Sequence, residues 1–227
     1  MRRYSVVDVY IDYETTNTTE YSKYDDLFLK IANQYQKSLV STITRVDLNQ
    51  WQIVLNQISE VYFICREIMD KLEQLGQKGY IGIGVGDIST KESSDSRTMD
   101  GEAFILARES LELAISNRTN YSKVIPTRRC RIYFRSNQGD GFVSSISKDH
   151  LINSLIQNNE VLISKITKKQ RESIEMYERH GSYNDLIENN PNVKKGTLSD
   201  KMNKSNYWMI QKNNKVIEQL LKSYQNS

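Results

Sequence analysis

The sequence predicts an α+β body followed by an all-α segment, on three observations. Over residues 1–143, short stretches rich in β-branched and aromatic residues alternate with stretches of helical periodicity. Glycine recurs at every second position from Gly82 to Gly86 within one apolar strand. After residue 164 the strand signals stop, and short capped helices follow one another.

The β-branched and aromatic content of residues 4–13 predicts the first strand. Leu27, Phe28, Ile31 and Tyr35 stand at helical spacing and predict a helix over 24–37. Two strands, 39–46 and 50–55, flank Asp47-Leu48-Asn49, which suits a hairpin. Ser59 is the expected N-cap of a helix to about Leu75, with Val61, Ile64, Cys65, Ile68, Met69 and Leu72 inward. A turn at 76–79 leads into a strand over 80–88, then a helix over 101–117, then a strand over 129–134 and a turn-rich stretch at 136–141. The first six elements run in the βαββαβ order of a ferredoxin-like sheet, with helices on one face.

Residues 144–164 predict a connecting helix, and 165–227 a separate helical unit. Thr167 caps its first helix, which ends at His180-Gly181. Ser182 caps the second, which Pro191 stops, and the third begins near Lys195 with Leu198 and Met202 inward. Two short helices with a break before the second form a helix-turn-helix arrangement.

Of the 227 residues 38% are hydrophobic and 26% charged, which fits a globular chain with a core. No apolar run approaches the ~20 residues of a membrane span. Asp8 and Asp12 interrupt the apolar start, which argues against a signal peptide. Cys65 and Cys130 fall on apolar faces and are expected as buried free thiols, in keeping with a cytoplasmic protein. The net charge of +3 is unevenly placed. From residue 161 onward twelve Lys/Arg stand against seven Asp/Glu, so the C-terminal part is basic and the body mildly acidic. A polyanionic partner would be met by the C-terminal part.

The glycine ladder removes side chains from one strand face, so that a nucleotide or a neighbouring helix can approach the backbone. Asp87 at a strand end and Asp100 at a helix start read first as structural acids, with Asp100 a helix cap. Arg108 reads as a solvated helix residue or an ion-pair partner before a phosphate clamp.

Gly82-Ile83-Gly84-Val85-Gly86-Asp87-Ile88-Ser89-Thr90, followed by Asp100-Gly101-Glu102-Ala103-Phe104-Ile105-Leu106-Ala107-Arg108, resembles the strand and helix of the SatD family. That family joins a cyclase-like body to a C-terminal helix-turn-helix, and the element order is similar to the wider class III cyclase and GGDEF fold. The resemblance implies a metal-binding acid at the end of the first strand, where Asp12 stands, and two more in the hairpin. Leu48-Asn49-Gln50-Trp51-Gln52 occupies that hairpin, with Asn49 in place of aspartate and Gln50 in place of glutamate; Asp47 is two residues out of register. Amides supply no charge for a divalent ion and a triphosphate. A ribose-orienting asparagine is also missing around Phe104 and Ile105, and only Arg108 stays in place for a phosphate. Asp12, Asp47, Asn49 and Arg108 are therefore expected as a vestigial nucleotide or metal site, with no catalytic residue, resident metal or cofactor.

Residues 165–174 resemble the opening helix of winged and sigma-type regulators, and 193–208 a recognition helix. Lys194, Lys195, Lys201 and Lys204 can reach phosphates, while Thr197, Ser199 and Asn203 can bond base edges. The competing view is a helical bundle for dimerization, with lysines on a solvated face. The terminal helix, 208–224, either closes the unit or forms a two-fold interface. The expected function is a transcription regulator that binds double-stranded DNA, with a homodimer as a candidate form. Its body would be a scaffold, dimer interface or ligand sensor for an effector the sequence does not name. A Mg²⁺-dependent nucleotide-binding or nucleotide-processing enzyme using Asp12 and Asp47 is the alternative, and a structural adaptor a third.

Overall fold

The computed structural model describes residues 2–12, 18–116, 130–138 and 147–225, with side chains from 23 onward in the second segment. The chain is a mixed α+β protein built on one five-stranded sheet in the order β2-β3-β1-β4-β5. The strands are β1 (Tyr4–Asp12), β2 (Thr44–Asp47), β3 (Gln50–Leu55), β4 (Lys78–Gly86) and β5 (Ile132–Ser136). Each of the first four is antiparallel to its neighbours among them, and β5 joins β4 in parallel at the edge. Eight α-helices are present among the described residues: α1 (Thr18–Gln34), α2 (Val61–Gln74), α3 (Glu102–Ser116), α4 (Lys148–Ile163), α5 (Lys168–His180), α6 (Tyr183–Asn189), α7 (Lys195–Lys204) and α8 (Tyr207–Gln225).

Alternation along the strands divides the sheet into two faces. Val7, Val9 and Ile11 of β1, Trp51, Ile53 and Leu55 of β3, and Ile81, Ile83 and Val85 of β4 meet α1 and α2 in the main core. Val6 and Val54 point the other way, into a smaller cluster with Ala103, Phe104 and Ala107 of α3. The first two helices thus share a face as expected, whereas α3 covers the opposite one.

The glycine ladder belongs to α3. A Cβ on Gly82 would stand 2.2 Å from the Ala107 carbonyl oxygen, and one on Gly84 2.2 Å from that of Ala103. Helix backbone rests on strand backbone, and the Ser110 hydroxyl donates to the Ile83 carbonyl at 3.1 Å to pin the contact. Between the packing and ligand readings of this ladder, the structure chooses packing.

Other expectations shift. Of the stretch 39–46 only 44–46 is strand, within β2; Leu39 makes one isolated bridge to Leu55. Ser59 caps nothing, because a 3-10 turn over Ile58–Glu60 places Glu60 at the start of α2 without a side-chain cap. β4 begins two residues earlier than expected and ends before Asp87. Asp100 does not cap α3 through its carboxylate, which accepts the Gly101 N–H at 2.7 Å, while the Asp87 carbonyl accepts that of Ala103. Expectations for residues 13–16, 117, 129, 139–141 and 144 lie outside the described residues.

The connecting helix does more than connect. Ile152 and Ile156 of α4 enter the main core. Asn153 exchanges two hydrogen bonds with the Phe134 backbone (2.8 and 2.9 Å), and Asp149 accepts the Ser136 N–H at 2.6 Å. Side chains of α4 thereby satisfy the open edge of β5, which would otherwise offer itself for pairing. Asp149 also accepts the Tyr224 hydroxyl of α8 at 2.6 Å.

The remaining helices build a second core of Leu186, Leu198, Met202 and Tyr207, with Ile174 and Tyr177 packed against it. Thr167 and Gln170 form a reciprocal capping box on α5, Gly181 closes α5 in the left-handed region at φ 75°, and Ser182 caps α6. α8 joins both cores. Tyr207 sits in the small one, while Ile217, Leu221 and Tyr224 are in the main one. Gln225 then donates to the Asn56 carbonyl and accepts the Ile58 N–H. Of the two roles open to this helix, closing the unit or forming a two-fold interface, most of its apolar stripe serves its own chain.

Gly84→Ala should destabilise the fold by about 3 kcal/mol or more, because the atoms it meets are backbone and cannot swing aside. Gly196→Ala, in α7 with nothing within 4 Å of its Cβ, should instead stabilise by about 0.5–1 kcal/mol. Urea unfolding of the two variants checks both signs.

Candidate functional site

Two places carry chemistry: the outward surface of α7, and a buried acid under α3. All seven candidate DNA contacts lie on α7 or at its N-cap. Leu198 and Met202 face inward. Lys194, Lys195, Thr197, Asn203 and Lys204 are exposed, and Ser199 and Lys201 are half-buried at the flanks. Helical spacing puts Thr197, Asp200, Asn203 and Lys204 together on the outward side.

The field there is positive but tempered. Lys204 is held by Asp200 in an exposed i,i+4 pair at 2.8 Å. Such pairs are worth only about 0.3–0.5 kcal/mol, so Lys204 can be recruited by a stronger anion. Lys195 reaches Asn184 of α6 at 3.5 Å. Arg171 of α5 faces elsewhere, toward Asp70 and Glu73 of α2 at 3.6 and 3.4 Å, and so ties the small helical core to the body. Trp208, 43% exposed, follows α7 and packs edge-on to Tyr177 and Tyr207.

The expected vestigial site is dispersed. The sheet does bring the end of β1 beside the hairpin, since the Ile11 N–H donates to the Asn49 carbonyl at 2.9 Å. Asp12 turns to Lys78, 3.7 Å away, and Asp47 accepts the N–H of its neighbour Leu48 at 2.7 Å. Arg45 braces the same turn by donating to the Leu48 carbonyl at 2.6 Å. Arg108 is not with them: it sits on the exposed side of α3, in the half of the helix that crosses β4 near Gly82 and Gly84. Among the described residues no group of three or more His, Cys, Asp or Glu side chains is gathered to hold a metal. The donors at hand do not fit a pair of divalent ions, which need converging anionic oxygens.

A different acid is buried instead. Asp8, 2% exposed, lies in β1 between Gln52 of β3 and Gly82 of β4, on the face covered by α3. Gln52 donates to it at 2.9 Å. Burial disfavours the charged form and raises the carboxyl to about 6, while the Gln52 bond and the more distant Arg108 guanidinium pull it back. The sequence signal was only that Asp8 breaks the run Val6-Val7 and Val9; the register sets it opposite Gln52 and Gly82. What could not be read was that α3 buries this face as thoroughly as the other.

Folded Asp8 keeps its proton up to about pH 6, whereas the unfolded group releases it near 3.8. Its contribution to stability is therefore complete below the unfolded value and is lost as pH rises through 6. Asp8→Asn retains an acceptor for Gln52 and removes the ionisation. It should raise stability at neutral pH by roughly 2 kcal/mol and flatten the pH dependence between about pH 4 and pH 7, as read by denaturant unfolding.

No helix among the described residues is long and apolar enough to cross a membrane. A comparison with curated proteins returns no match. The model of the SatD family matches residues 8–221, from the first strand through most of α8. As the match spans nearly the whole chain, the chain belongs to the SatD family.

Proposed function

We propose that this chain is a DNA-binding regulator in which α6 and α7 act as a helix-turn-helix and α7 reads the major groove. The observation that carries the reading is the division of α7. Leu198 and Met202 seat it on the small core, and Lys195, Thr197, Asn203 and Lys204 are left outward with nothing apolar among them. Lysines at and near its N-terminus, Lys194 and Lys195, add to the positive end of the helix dipole, which favours phosphate. Residues 190–194 make a longer connection than the tightest helix-turn-helix, so α6 and α7 would straddle a wider stretch of backbone.

The body supports this role as a scaffold. Its first four strands, in the order 2-3-1-4 with α1 and α2 on one face, fit a ferredoxin-like, cyclase-related domain. The same arrangement gives little support to the alternative, a Mg²⁺-dependent nucleotide enzyme. Asp12 is engaged by Lys78, Asp47 by its own turn, and the glycine ladder by α3.

Binding should be strongest at low salt and fall steeply as salt rises. Replacing Lys194, Lys195 and Lys201 together by alanine should weaken binding to all sequences alike and reduce the salt slope by up to about three. Asn203→Ala should relax sequence preference with less effect on that slope. Fluorescence anisotropy on genomic fragments at several salt concentrations separates the two. Absence of binding at low salt by the folded protein would overturn the proposal.

A further inference from the structure

The outer surface of α3 carries a stripe with two-fold symmetry in its chemistry. Ile105 and Ile115 are 53% and 44% exposed. Between them, Arg108 and Glu112 are also exposed. The spacing 105–108–112–115 is three, four, three, which keeps all four side chains within one sector of the helix. It also reads the same from either end, with apolar outside and one charge of each sign inside.

Such a stripe complements an antiparallel copy of itself. With the axis passing through position 110, Ile105 of one chain opposes Ile115 of the other, and Arg108 opposes Glu112; the same two contacts recur on the far side of the axis. Every pairing is favourable: apolar on apolar, and cation on anion. Neither Arg108 nor Glu112 forms an ion pair among the described residues, although at i,i+4 they could reach one another. Both side chains are exposed and can bond across an interface. Close seating of α3 on the glycines of β4 makes the stripe a rigid ridge, so little ordering entropy opposes its use.

We infer that the outer face of α3 is an isologous interface between two copies of this chain, with α3 packed antiparallel against its symmetry mate. The occupant follows from charge self-complementarity: a different partner would need an opposite charge pattern of its own, whereas a second copy has it already. Ile105 and Ile115 lie about 15 Å apart along the helix, so the ridge alone buries less than a standard interface. The dimer is accordingly of the weak, concentration-dependent kind. This inference stands apart from DNA binding, since it is tested without DNA.

Sedimentation velocity of the full chain over a range of concentrations tests it. The wild type should move from monomer to dimer as concentration rises. Arg108→Glu and Glu112→Arg should each weaken dimerization at least tenfold, because each places like charges in contact twice per dimer. Combining them should restore it, as the pairs are re-formed with signs exchanged. Ile115→Glu should abolish it. Circular dichroism melts confirm that each variant is folded, and the rescue in the double variant cannot come from misfolding. A wild type that stays monomeric at the highest soluble concentration would overturn the inference. So would a dimer indifferent to the single reversals, or one that the double reversal does not restore.

Discussion

The seating of α3 on the backbone of β4 is the contact from which the rest of the body takes its shape. Gly82 and Gly84 have no side chains there, and the helix answers with Ala103, Ala107, Ser110 and Ala114, all buried. Two backbones at van der Waals distance leave no soft atoms between them, so the helix has one position rather than a range. That position closes the second face of the sheet and puts Asp8 out of reach of water. It also turns Ile105, Arg108, Glu112 and Ile115 outward as a fixed ridge. Strand order alone would permit an open face here; the glycines forbid it.

Much of the fold was legible in the sequence because its signals were local. Thr167, Gly181 and Ser182 mark their helix ends by side-chain and backbone chemistry that needs no tertiary context, and each does so as expected. Pattern also located β1, β3, α2 and α5–α7 closely. Elements misjudged were those decided by distant contacts. Leu39 to Ile43 has strand composition but lies beside the sheet with a single bridge, and Ser59 lost its capping role to a 3-10 turn. α8 has an amphipathic stripe that suits a dimer, a bundle or a core equally well. Only its neighbours, Asp149 and Asn56 among them, decide in favour of the core.

The site was legible in part. Residue types and helical spacing were enough to place Lys195, Thr197, Asn203 and Lys204 outward, because a short helix with Leu198 and Met202 on one side has little choice. The acids of the body were harder. Asp12 and Asp47 were chosen by their position in a motif, yet side-chain direction is set by the nearest partner: Lys78 for one, the Leu48 N–H for the other. A single acid in a strand suits an edge or an open face as well as a buried one, so pattern alone does not bury Asp8. Its environment depends on a helix almost a hundred residues later.

α8 has a consequence for how the molecule is made. It comes last among the described elements, yet it delivers Ile217, Leu221 and Tyr224 to the main core, whose first residues are those of β1. During synthesis the sheet, α1, α2 and α3 emerge well before this helix, so the body waits with a gap in its apolar layer until α8 has cleared the ribosome. Completion of the body and alignment of α5–α7 on it are then a single late event, because the same helix does both. A nascent chain cannot present α7 on a half-built scaffold, and the finished molecule holds α7 in register with the fold that carries it.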